Sequence, residues 1–570
     1  MTDINIVIAG SAGEGIQTIG EILSEAVLAQ GHSVFSWQEY ESRIRGGQNS
    51  YTIRIGDKTA NAPEMRCDVL LALNGDAARK YLFRLKPDGI LISPAKIPNG
   101  PESAIEIDFT KTAAGEIGKK IYANTIAVGV LAGAIGVGKE ALNTILGSRF
   151  EKKGREIVDA NRLAAEKGFQ LAEKECQDIC PWTLDPKDRK WMLVNGNVAI
   201  CLGAAYAGCK MVAGYPMTPS TEIMTWLAKH EDTLGILVEQ AEDEISAVNM
   251  VIGANFAGTR AMTATSGGGF SLMAEGVSLS GMTETPLVAV LGQRPGPATG
   301  LPTRTAQQDL LFAIHAGHGE FPRLVMAPAD PKDAFHKTVA AFNLADKYQI
   351  PAIILTDQLL AESAYALEDL DIEKSTPVFH MADPNTIETY KRYQFVSENP
   401  SGGASPRLYP GQSRHLVGAV SDEHDEYGHL TEDLENTALP MIRKRLSKMA
   451  ALQREIPPPE TFGAANADIL FIGWGSSRGA LLEAIDMLRE KDGIEAGAIH
   501  FTVVWPLPET PLDAGKNYWV VESNATGQLG KLLKSAFDLN ITGNINRFDG
   551  LPLTAEFIRS RFHEQRGSVS

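Results

Sequence analysis

Short apolar runs and helical segments alternate regularly between Asn197 and Asp357. Alternation of this kind is typical of a parallel β-sheet whose two faces are covered by helices. The predicted strands lie at 211–214, 235–239, 260–265, 286–292, 323–327 and 351–356. We therefore predict an α/β fold, in which ligands bind at the carboxyl ends of the strands.

The chain has 570 residues, a length that suggests three or four domains, and the motifs below favour three α/β domains. Residues 181–191 contain two prolines and many charges, a composition typical of a linker. Residues 362–465 show little apolar periodicity and are predicted to form a long connecting segment that can cross to a partner. The last part of the chain carries the strand patterns AIHFTVV and YWVVES. The predicted boundaries are 1–180 for the first domain, 181–196 for the linker, 197–361 for the second domain, 362–465 for the connecting segment and 466–570 for the third domain.

Charge and cysteine content exclude several classes of protein. The net charge of -17 argues against nucleic acid or an anionic membrane as a partner. The five cysteines include no C-x-x-C pair, so we expect neither an iron–sulfur cluster nor another metal site in this chain. Cys176 and Cys180 are one helical turn apart, and we expect two ordinary thiols rather than metal ligands. The N-terminus lacks a targeting pattern, which predicts the cytoplasm.

Two further segments have more than one interpretation. Ile121–Gly138 is uncharged and long enough to raise the question of a membrane span. It contains four glycines, so we predict instead a buried helix that packs closely through Gly129 and Gly133. His424, with Asp425 and His429, has the side chains of a metal site, but a solvated loop is the preferred interpretation.

The sequence GYPMTPSTE, residues 214–222, follows an apolar run and marks a turn from a strand into a helix. Thr218 can cap a helix through its hydroxyl, and Pro219 suits the first helical position. We therefore expect the helix to begin here. Its free N–H groups and dipole would favour an anion, although a cap without a ligand is the simpler interpretation.

A second helix is predicted over Asp243–Ala257, with Glu244 in its first turn. An acidic residue there is usually a favourable charge at a helix N-terminus, and Glu239 and Glu242 lie close by. Two segments rich in glycine, residues 263–275 and 291–303, each follow an apolar strand and are predicted to be loops. All of these segments would meet at the carboxyl edge of the sheet.

The N-terminal segment has its own glycine-rich turn. A strand at 4–9 leads through GSAGEG into a helix that runs to Leu28. Gly10, Gly13 and Gly15 would let backbone N–H groups approach a phosphate. The spacing differs from the dinucleotide motif, although Glu39 after the next strand leaves an NAD-binding role open.

Two arginines precede the paired glycines Gly46 and Gly47. Arg43 and Arg45 could bind a phosphate through two hydrogen bonds each, or face solvent or another subunit.

Several motifs together resemble a known family. YPMTPST, EQAEDEISAVNMVIGA, TSGGGFSLMAE, GQRPGPATGLPT and GHGEFPR occur in this order, and the chain resembles the alpha subunit of the 2-oxoacid:ferredoxin oxidoreductases, which are thiamine diphosphate enzymes. GSAGEGIQT and ESRIRGGQNSYTIRIG are similar to that family's gamma domain, fused ahead of alpha. The resemblance implies three domains in chain order. The first is a gamma-type domain on the side of the enzyme that binds coenzyme A, the second is a pyrimidine-binding-type thiamine diphosphate domain, and the third is a transketolase C-terminal-like domain.

The resemblance also implies roles for individual residues. Glu244 occupies the position of the glutamate that bonds the aminopyrimidine ring and promotes removal of the thiazolium proton. Thr218 is similar in position to a threonine that meets the 2-oxoacid carboxylate. Arg294 and Thr303 resemble the remaining pair that contacts the substrate. Coenzyme A would be contacted by Gly10, Gly13 and Gly15 and by Arg43 and Arg45.

The chain lacks a GDG motif followed by an asparagine, and it lacks clustered cysteines. The resemblance assigns both to a separate beta subunit, which would carry Mg²⁺ and a [4Fe-4S] cluster in a dimer of alpha–beta heterodimers. The implied reaction converts a 2-oxoacid, coenzyme A and oxidised ferredoxin to an acyl-CoA, carbon dioxide and reduced ferredoxin.

We expect 2-oxoglutarate as substrate, with pyruvate, branched-chain or mixed 2-oxoacids as alternatives. A nicotinamide-dependent oxidoreductase and a noncatalytic scaffold subunit are the rival functions.

Overall fold

The computed structural model describes residues 3–42, 46–57, 60–98, 100–101, 104–176, 179–395, 402–464, 466–510, 512–513 and 515–569. The chain forms two compact units, one of residues 1–194 with 362–370 and one of residues 195–361 with 371–570. Sheets of eight, seven and five strands, each accompanied by helices, confirm the predicted α/β fold.

The strands are numbered in chain order. They are β1 Asp3–Ser11, β2 Ser33–Glu39, β3 Gln48–Gly56, β4 Cys67–Ala72, β5 Leu85–Ser93, β6 Ile105–Glu106, β7 Met192–Val194, β8 Met211–Gly214, β9 Leu237–Gln240, β10 Ala261–Ser266, β11 Leu287–Gln293, β12 Leu324–Met326, β13 Pro351–Asp357, β14 Ala364–Leu367, β15 Glu460–Gly463, β16 Ile469–Trp474, β17 Ala496–Phe501, β18 Val503–Trp505, β19 Asn517–Glu522 and β20 Ile541–Asn546.

The α-helices are numbered in the same way. They are α1 Ile16–Ala29, α2 Gly75–Tyr81, α3 Phe109–Thr112, α4 Ala123–Ile135, α5 Lys139–Phe150, α6 Arg155–Glu175, α7 Gly196–Tyr206, α8 Thr221–Lys229, α9 Glu231–Leu234, α10 Glu244–Phe256, α11 Gly267–Met282, α12 Leu310–His315, α13 Pro331–Tyr348, α14 Gln358–Glu362, α15 Leu439–Gln453, α16 Arg478–Asp492, α17 Gln528–Phe537 and α18 Ala555–Val569.

The sheet of the first unit has the order β6-β5-β4-β1-β3-β2-β14-β7. Strand β3, which was not predicted, runs antiparallel between β1 and β2. Strand β7 lies in the predicted linker and β14 in the predicted connecting segment, and both pair with this sheet. Strands β7 and β14 therefore complete the sheet although their sequences have no strong strand pattern. Pairing with the edge of an existing sheet compensates for their weak β-propensity.

Helix α4 is buried on nearly all sides, as its uncharged sequence predicts. A Cβ atom added at Gly129 would collide with the carbonyl oxygen of Ala165 in α6, and one at Gly133 would lie 2.6 Å from the Cβ of Ala172. Close packing through these glycines is confirmed. No helix within the described residues is long and apolar enough to cross a membrane.

Cys176 and Cys180 form a disulfide, so the expectation of two separate thiols was wrong. Helix α6 ends at Glu175, and the N–H of Cys180 donates to the carbonyl oxygen of Cys176 at 3.1 Å. This tight turn brings the two Cα atoms within 5.1 Å of each other. A disulfide needs a separation of that size.

The seven-stranded sheet of the second unit has the order β18-β12-β13-β11-β10-β8-β9. Its strands β8 to β13 are parallel and begin and end within two residues of the predicted ranges, which confirms the prediction. The segment AIHFTVV, predicted as one strand, instead divides at Thr502. Strand β17 stays in the five-stranded sheet, and β18 adds to β12 in antiparallel orientation.

Residues 371–395 and 402–459 belong to the second unit, and buried charges tie parts of them to its helices. The Glu284 carboxylate contacts the Lys444 Nζ at 2.7 Å and also binds Lys448. Burial opposes ionisation of Glu284, but these lysines outweigh it and hold its pKa well below the usual range. Asp346 binds Arg260 and Arg407, each at 2.8 Å. Ion pairs therefore anchor the segment at Arg407, Lys444 and Lys448.

The loop predicted around His424 is solvated at His429 and partly at Asp425, but His424 itself does not face solvent. His424 is fully buried, and its ring lies 3.9 Å from that of Tyr393. Its Nδ1 is 3.0 Å from the carbonyl oxygen of Asp422. In the described part of the chain, no group of three or more His, Cys, Asp and Glu side chains could hold a metal ion. Aromatic packing therefore explains this histidine.

Candidate active site

The turn after β8 differs from the predicted helix start. Residues Met217 to Ser220 form a turn closed by a 2.9 Å hydrogen bond from the Ser220 N–H to the Met217 carbonyl. Helix α8 begins only at Thr221, so the expectation that Thr218 caps it was wrong. The physical reason is that this turn interposes three residues before the helical hydrogen bonds start. Thr218 is therefore left at the carboxyl end of β8.

Glu244 begins α10, close to the predicted position. The helix is capped by Asp243, whose carboxylate accepts a 2.8 Å hydrogen bond from the Ser246 N–H. Glu244 is only 3% exposed, whereas Glu239 and Glu242 are exposed. Burying a carboxylate is costly, and Glu244 does not supply the helix cap. A functional role therefore explains Glu244 better than a favourable charge at the helix N-terminus does.

Gly269 makes room beside this carboxylate. The first glycine-rich segment is not the predicted loop, because α11 begins at Gly267 and includes the glycines in its first turn. A Cβ atom added at Gly269 would collide with Glu244 Oε1 and Thr265 Oγ1. A glycine at this position is therefore required for the carboxylate to lie against the helix.

Thr265 joins Glu244 to the turn after β8, a role that the sequence did not indicate. Its Oγ1 lies 3.4 Å from Glu244 Oε1 and 3.9 Å from the Met217 sulfur. Its carbonyl oxygen accepts a 2.7 Å hydrogen bond from Ser220 Oγ. The only local signal was its position at the end of β10, immediately before the glycines.

Arg294 follows β11 and reaches the same turn. Its Nη1 donates a 2.8 Å hydrogen bond to the carbonyl oxygen of Thr218. The side chain is partly buried, and this burial lowers the pKa of the guanidinium group. Thr218 and Arg294 are therefore in direct contact, and both lie at the edge that also carries Glu244.

Thr303 lies on the loop that Arg294 begins. The loop doubles back, with a 2.9 Å hydrogen bond from the Leu301 N–H to the Pro295 carbonyl. Its ends are held by Gln293, whose Oε1 accepts from the Asp309 N–H at 2.9 Å and whose Nε2 donates to the Thr356 carbonyl at 3.2 Å. The loop that carries Arg294 and Thr303 is thus fixed to the sheet at both ends.

Asp309, which the sequence analysis missed, lies beneath the first turn of α11. Its Oδ2 lies 2.7 Å from the position that a Cβ atom on Gly267 would occupy. This oxygen has no hydrogen-bond partner among the described residues. Burial raises the pKa of the carboxyl group to about 6. The site therefore contains a second, weakly acidic carboxyl group.

Replacing Asp309 with Asn should stabilise the protein at alkaline pH. Because the folded-state pKa is raised from 3.8 to about 6, the wild type loses stability as pH rises through this interval. Asn cannot ionise, so the variant should be more stable by up to about 3 kcal/mol at pH values above about 7. Urea unfolding as a function of pH measures this difference.

The stability difference should vanish below about pH 3, where the Asp309 carboxyl group is neutral in both the folded and the unfolded chain. Glu242→Gln, at an exposed position, serves as the control and should change stability little at any pH. Equal stability of wild type and Asp309→Asn above neutral pH would contradict the prediction.

The glycine-rich turn of the first unit is partly filled by its own acidic residue. Gly13 and Gly15 have positive φ angles, as a tight turn requires. The Glu14 Oε2 accepts hydrogen bonds of 2.6 Å from both the Ser11 N–H and the Asn74 Nδ2. One N–H group near Gly10 is thus already bound, whereas no atom lies within 4 Å of a Cβ position at Gly13.

Three other residues of this unit, Glu39, Arg43 and Arg45, were also predicted to bind a cofactor. Glu39 is buried and binds Arg84 Nη2 at 2.7 Å, which leaves this carboxylate unsuited to a ribose hydroxyl. Arg43 and Arg45 lie outside the described residues.

Comparisons with known proteins identify the family of the chain. Residues 202–443 match the family described as pyruvate flavodoxin/ferredoxin oxidoreductase, thiamine diphosphate-binding. Residues 5–171 match the pyruvate ferredoxin/flavodoxin oxidoreductase family. A 2-oxoacid:ferredoxin oxidoreductase alpha subunit from Saccharolobus solfataricus is 31% identical over 631 residues, covering 98% of this chain and 96% of the relative. The chain therefore belongs to the alpha subunits of the 2-oxoacid:ferredoxin oxidoreductases.

Two further similarities concern 2-oxoglutarate enzymes. The 2-oxoglutarate oxidoreductase subunit KorA of Mycobacterium tuberculosis is 29% identical over 605 residues, covering 97% of this chain and 90% of the relative. The structure of 2-oxoglutarate:ferredoxin oxidoreductase from Magnetococcus marinus, with 2-oxoglutarate, coenzyme A and succinyl-CoA bound, matches with a TM-score of 0.92 and 31% identity. This match covers 99% of this chain and 100% of that chain.

Proposed function

We propose that this oxidoreductase acts in the cytoplasm on 2-oxoglutarate, with coenzyme A and oxidised ferredoxin, to give succinyl-CoA, carbon dioxide and reduced ferredoxin. The main support is the similarity over the whole chain to a structure that has 2-oxoglutarate and succinyl-CoA bound. The contact of Arg294 with Thr218 supplies a partly buried guanidinium group at the carboxyl edge of the sheet. A guanidinium group is suited to binding a carboxylate of the substrate through two hydrogen bonds.

The residues around Glu244 fit the aminopyrimidine ring of thiamine diphosphate. The carboxylate is buried at the end of a parallel sheet, and the absence of a side chain at Gly269 lets it lie against the start of α11. When bound, thiamine diphosphate supplies the carbon nucleophile that adds to a 2-oxo group. Glu244 would hydrogen-bond the ring and share a proton with it, while Thr265 holds the carboxylate in position through Oε1.

A beta subunit would complete the site. Large apolar side chains that neighbour the site residues in the sequence are about half exposed: Tyr215 at 41%, Ile245 at 49%, Leu272 at 50% and Leu301 at 51%. Exposed apolar side chains that group on one surface are typical of a protein interface. We assign this surface to a partner that carries Mg²⁺ and the [4Fe-4S] cluster and passes electrons to ferredoxin.

Coenzyme A would bind at the glycine-rich turn of the first unit. The open space at Gly13 and the left-handed turn at Gly15 allow a phosphate to approach the start of α1. The Glu14 carboxylate must turn away from the Ser11 N–H for that amide to take part. Arg43 and Arg45 would supply the positive charge.

Steady-state assays of the chain assembled with its beta partner test the proposal. Coenzyme A and ferredoxin are held constant while 2-oxoglutarate, pyruvate and a branched-chain 2-oxoacid are compared. A site built to bind the distal carboxylate should favour 2-oxoglutarate in kcat/KM by about 10²-fold or more. A higher kcat/KM for pyruvate or the branched-chain acid would overturn the substrate assignment.

A further inference from the structure

The disulfide between Cys176 and Cys180 forms part of the wall of a cavity of about 320 Å³ in the first unit. Both cysteines line the cavity, together with Phe169 of α6, Lys139 of α5 and Trp182. The volume lies at the lower end of the range of small-molecule sites, which is about 300 to 1,000 Å³. A small molecule can therefore lie directly against this disulfide.

The two cysteines differ in exposure. Cys176 is 8% exposed and buried, whereas Cys180 is partly exposed. The rate of thiol–disulfide exchange depends on which sulfur the attacking thiolate can reach, and exposed disulfides are more labile than buried ones. An attacking thiolate should therefore react at the sulfur of Cys180, with Cys176 as the leaving group.

The disulfide contributes little to holding this part of the fold together. It joins residues with a sequence separation of 4, and the stabilisation by a disulfide grows with the length of the loop that it closes. Backbone hydrogen bonds also hold the turn, because the Cys176 carbonyl accepts from the Ile179 N–H at 2.9 Å and from the Cys180 N–H at 3.1 Å. The turn should survive reduction and keep the two thiols close enough to be oxidised again.

We propose that Cys176 and Cys180 form a reversible thiol–disulfide exchange site for a low-molecular-weight thiol. The thiolate of the ligand attacks Sγ of Cys180, which forms a mixed disulfide and breaks the bond to Cys176. The Cys176 Sγ leaves with the electron pair of that bond and takes up the proton that the attacking thiol has lost. The proposal does not depend on the 2-oxoacid or on the residues around Glu244.

A second ligand thiol completes the reaction by attacking the ligand sulfur of the mixed disulfide. The products are a ligand disulfide and two protein thiols, so two electrons pass from two ligand thiols to the protein. The reverse reaction with the ligand disulfide restores the bond between Cys176 and Cys180.

Lys139 supplies a positive charge to the cavity. Its Nζ lies 2.8 Å from a carboxylate oxygen of Glu166 and 5.5 Å from the centre of the Phe169 ring. Glu173, which is exposed, also lines the cavity. A nearby cation favours a thiolate over a thiol. Lys139 therefore favours the thiolate form of the attacking ligand and of the departing Cys176.

Mass analysis of the alkylated full chain tests the proposal. Without denaturant, the chain is equilibrated with reduced and oxidised glutathione at varied ratios, and in a parallel series with coenzyme A and its disulfide. Excess thiol should make both Cys176 and Cys180 open to alkylation, and excess ligand disulfide should protect both again. The buried thiols of Cys67, Cys201 and Cys209 are internal controls that should stay unmodified. Exchange with either thiol supports the proposal, and a difference between the two series identifies the preferred ligand.

Single substitutions test the order of attack. Cys176→Ser should form a lasting mixed disulfide at Cys180 when treated with glutathione disulfide, because the thiol that would displace the ligand is gone. Cys180→Ser should react at least about tenfold more slowly, since the remaining thiol is buried and exchange depends on access. Cys67→Ser is the matched control and should behave like the wild type.

Three results would overturn the proposal. The first is a bond between Cys176 and Cys180 that stays intact in excess thiol without denaturant. The second is a chain that keeps both residues as free thiols in excess ligand disulfide. The third is an equal rate of mixed-disulfide formation in the two single variants.

Discussion

Glu244→Gln is expected to lower the turnover of the assembled enzyme by about 10² to 10⁴-fold, the usual contribution of a group that transfers a proton. The amide retains the size of the carboxylate but cannot share a proton with the cofactor ring in the same way. Helix α10 should be unaffected, because Asp243 rather than Glu244 supplies its cap. Steady-state turnover and co-purification with the beta partner would be measured together.

The matched control for this substitution is Glu242→Gln. Glu242 is exposed two residues earlier in the chain and should retain nearly full turnover. Wild-type turnover of Glu244→Gln would show that the buried carboxylate has only a structural role.

Arg294→Ala is expected to lower kcat/KM for the 2-oxoacid by roughly thirtyfold to several thousandfold. Loss of one partner of a charge pair in a dry site typically costs about 2 to 5 kcal/mol, and about 1.4 kcal/mol corresponds to a factor of ten. Arg294→Lys should recover part of the loss, since an ammonium group cannot reproduce the two parallel hydrogen bonds. The dependence on ferredoxin concentration should change little.

The same variants distinguish the two ends of the substrate. Equal losses with 2-oxoglutarate, pyruvate and a branched-chain 2-oxoacid would place Arg294 at the shared oxoacid end. A loss with 2-oxoglutarate alone would place it at the distal carboxylate. Arg304→Ala, on the same loop, is the control and should keep kcat/KM near the wild-type value. A change below about threefold for every substrate, equivalent to under about 0.7 kcal/mol, would contradict a substrate-binding role for Arg294.

The parts of the site that could be predicted depend on local patterns. Helix α10 and strands β8 to β13 could be predicted, because hydrophobic periodicity and helix caps depend on residues that are close together along the chain. Thr265 and Asp309 could not be predicted in this way, because their importance arises from contacts with Met217 and Gly267. The start of α8 was placed two residues early, at Pro219 instead of Thr221, because local preferences do not reveal the intervening turn.

Helix α15 shows the limit of hydrophobic periodicity more directly. Three of its six buried positions, Lys444, Arg445 and Lys448, are charged, so the apolar pattern is too weak to indicate which side faces the protein. The compensating partners, Glu284 and Glu423, lie elsewhere in the chain. Only tertiary contacts explain why these cations are buried.

The eight-stranded sheet also sets the order in which the chain can finish folding during synthesis. Strand β14 lies between β2 and β7, yet it is encoded after the parallel strands β8 to β13 of the second unit. A nascent chain that has emerged only as far as Val194 therefore leaves β2 as an open edge and β7 without its neighbour. The sheet of the first unit can be completed only after Ala364–Leu367 have been synthesised. Until then the unpaired edge of β2 is prone to associate with other strands.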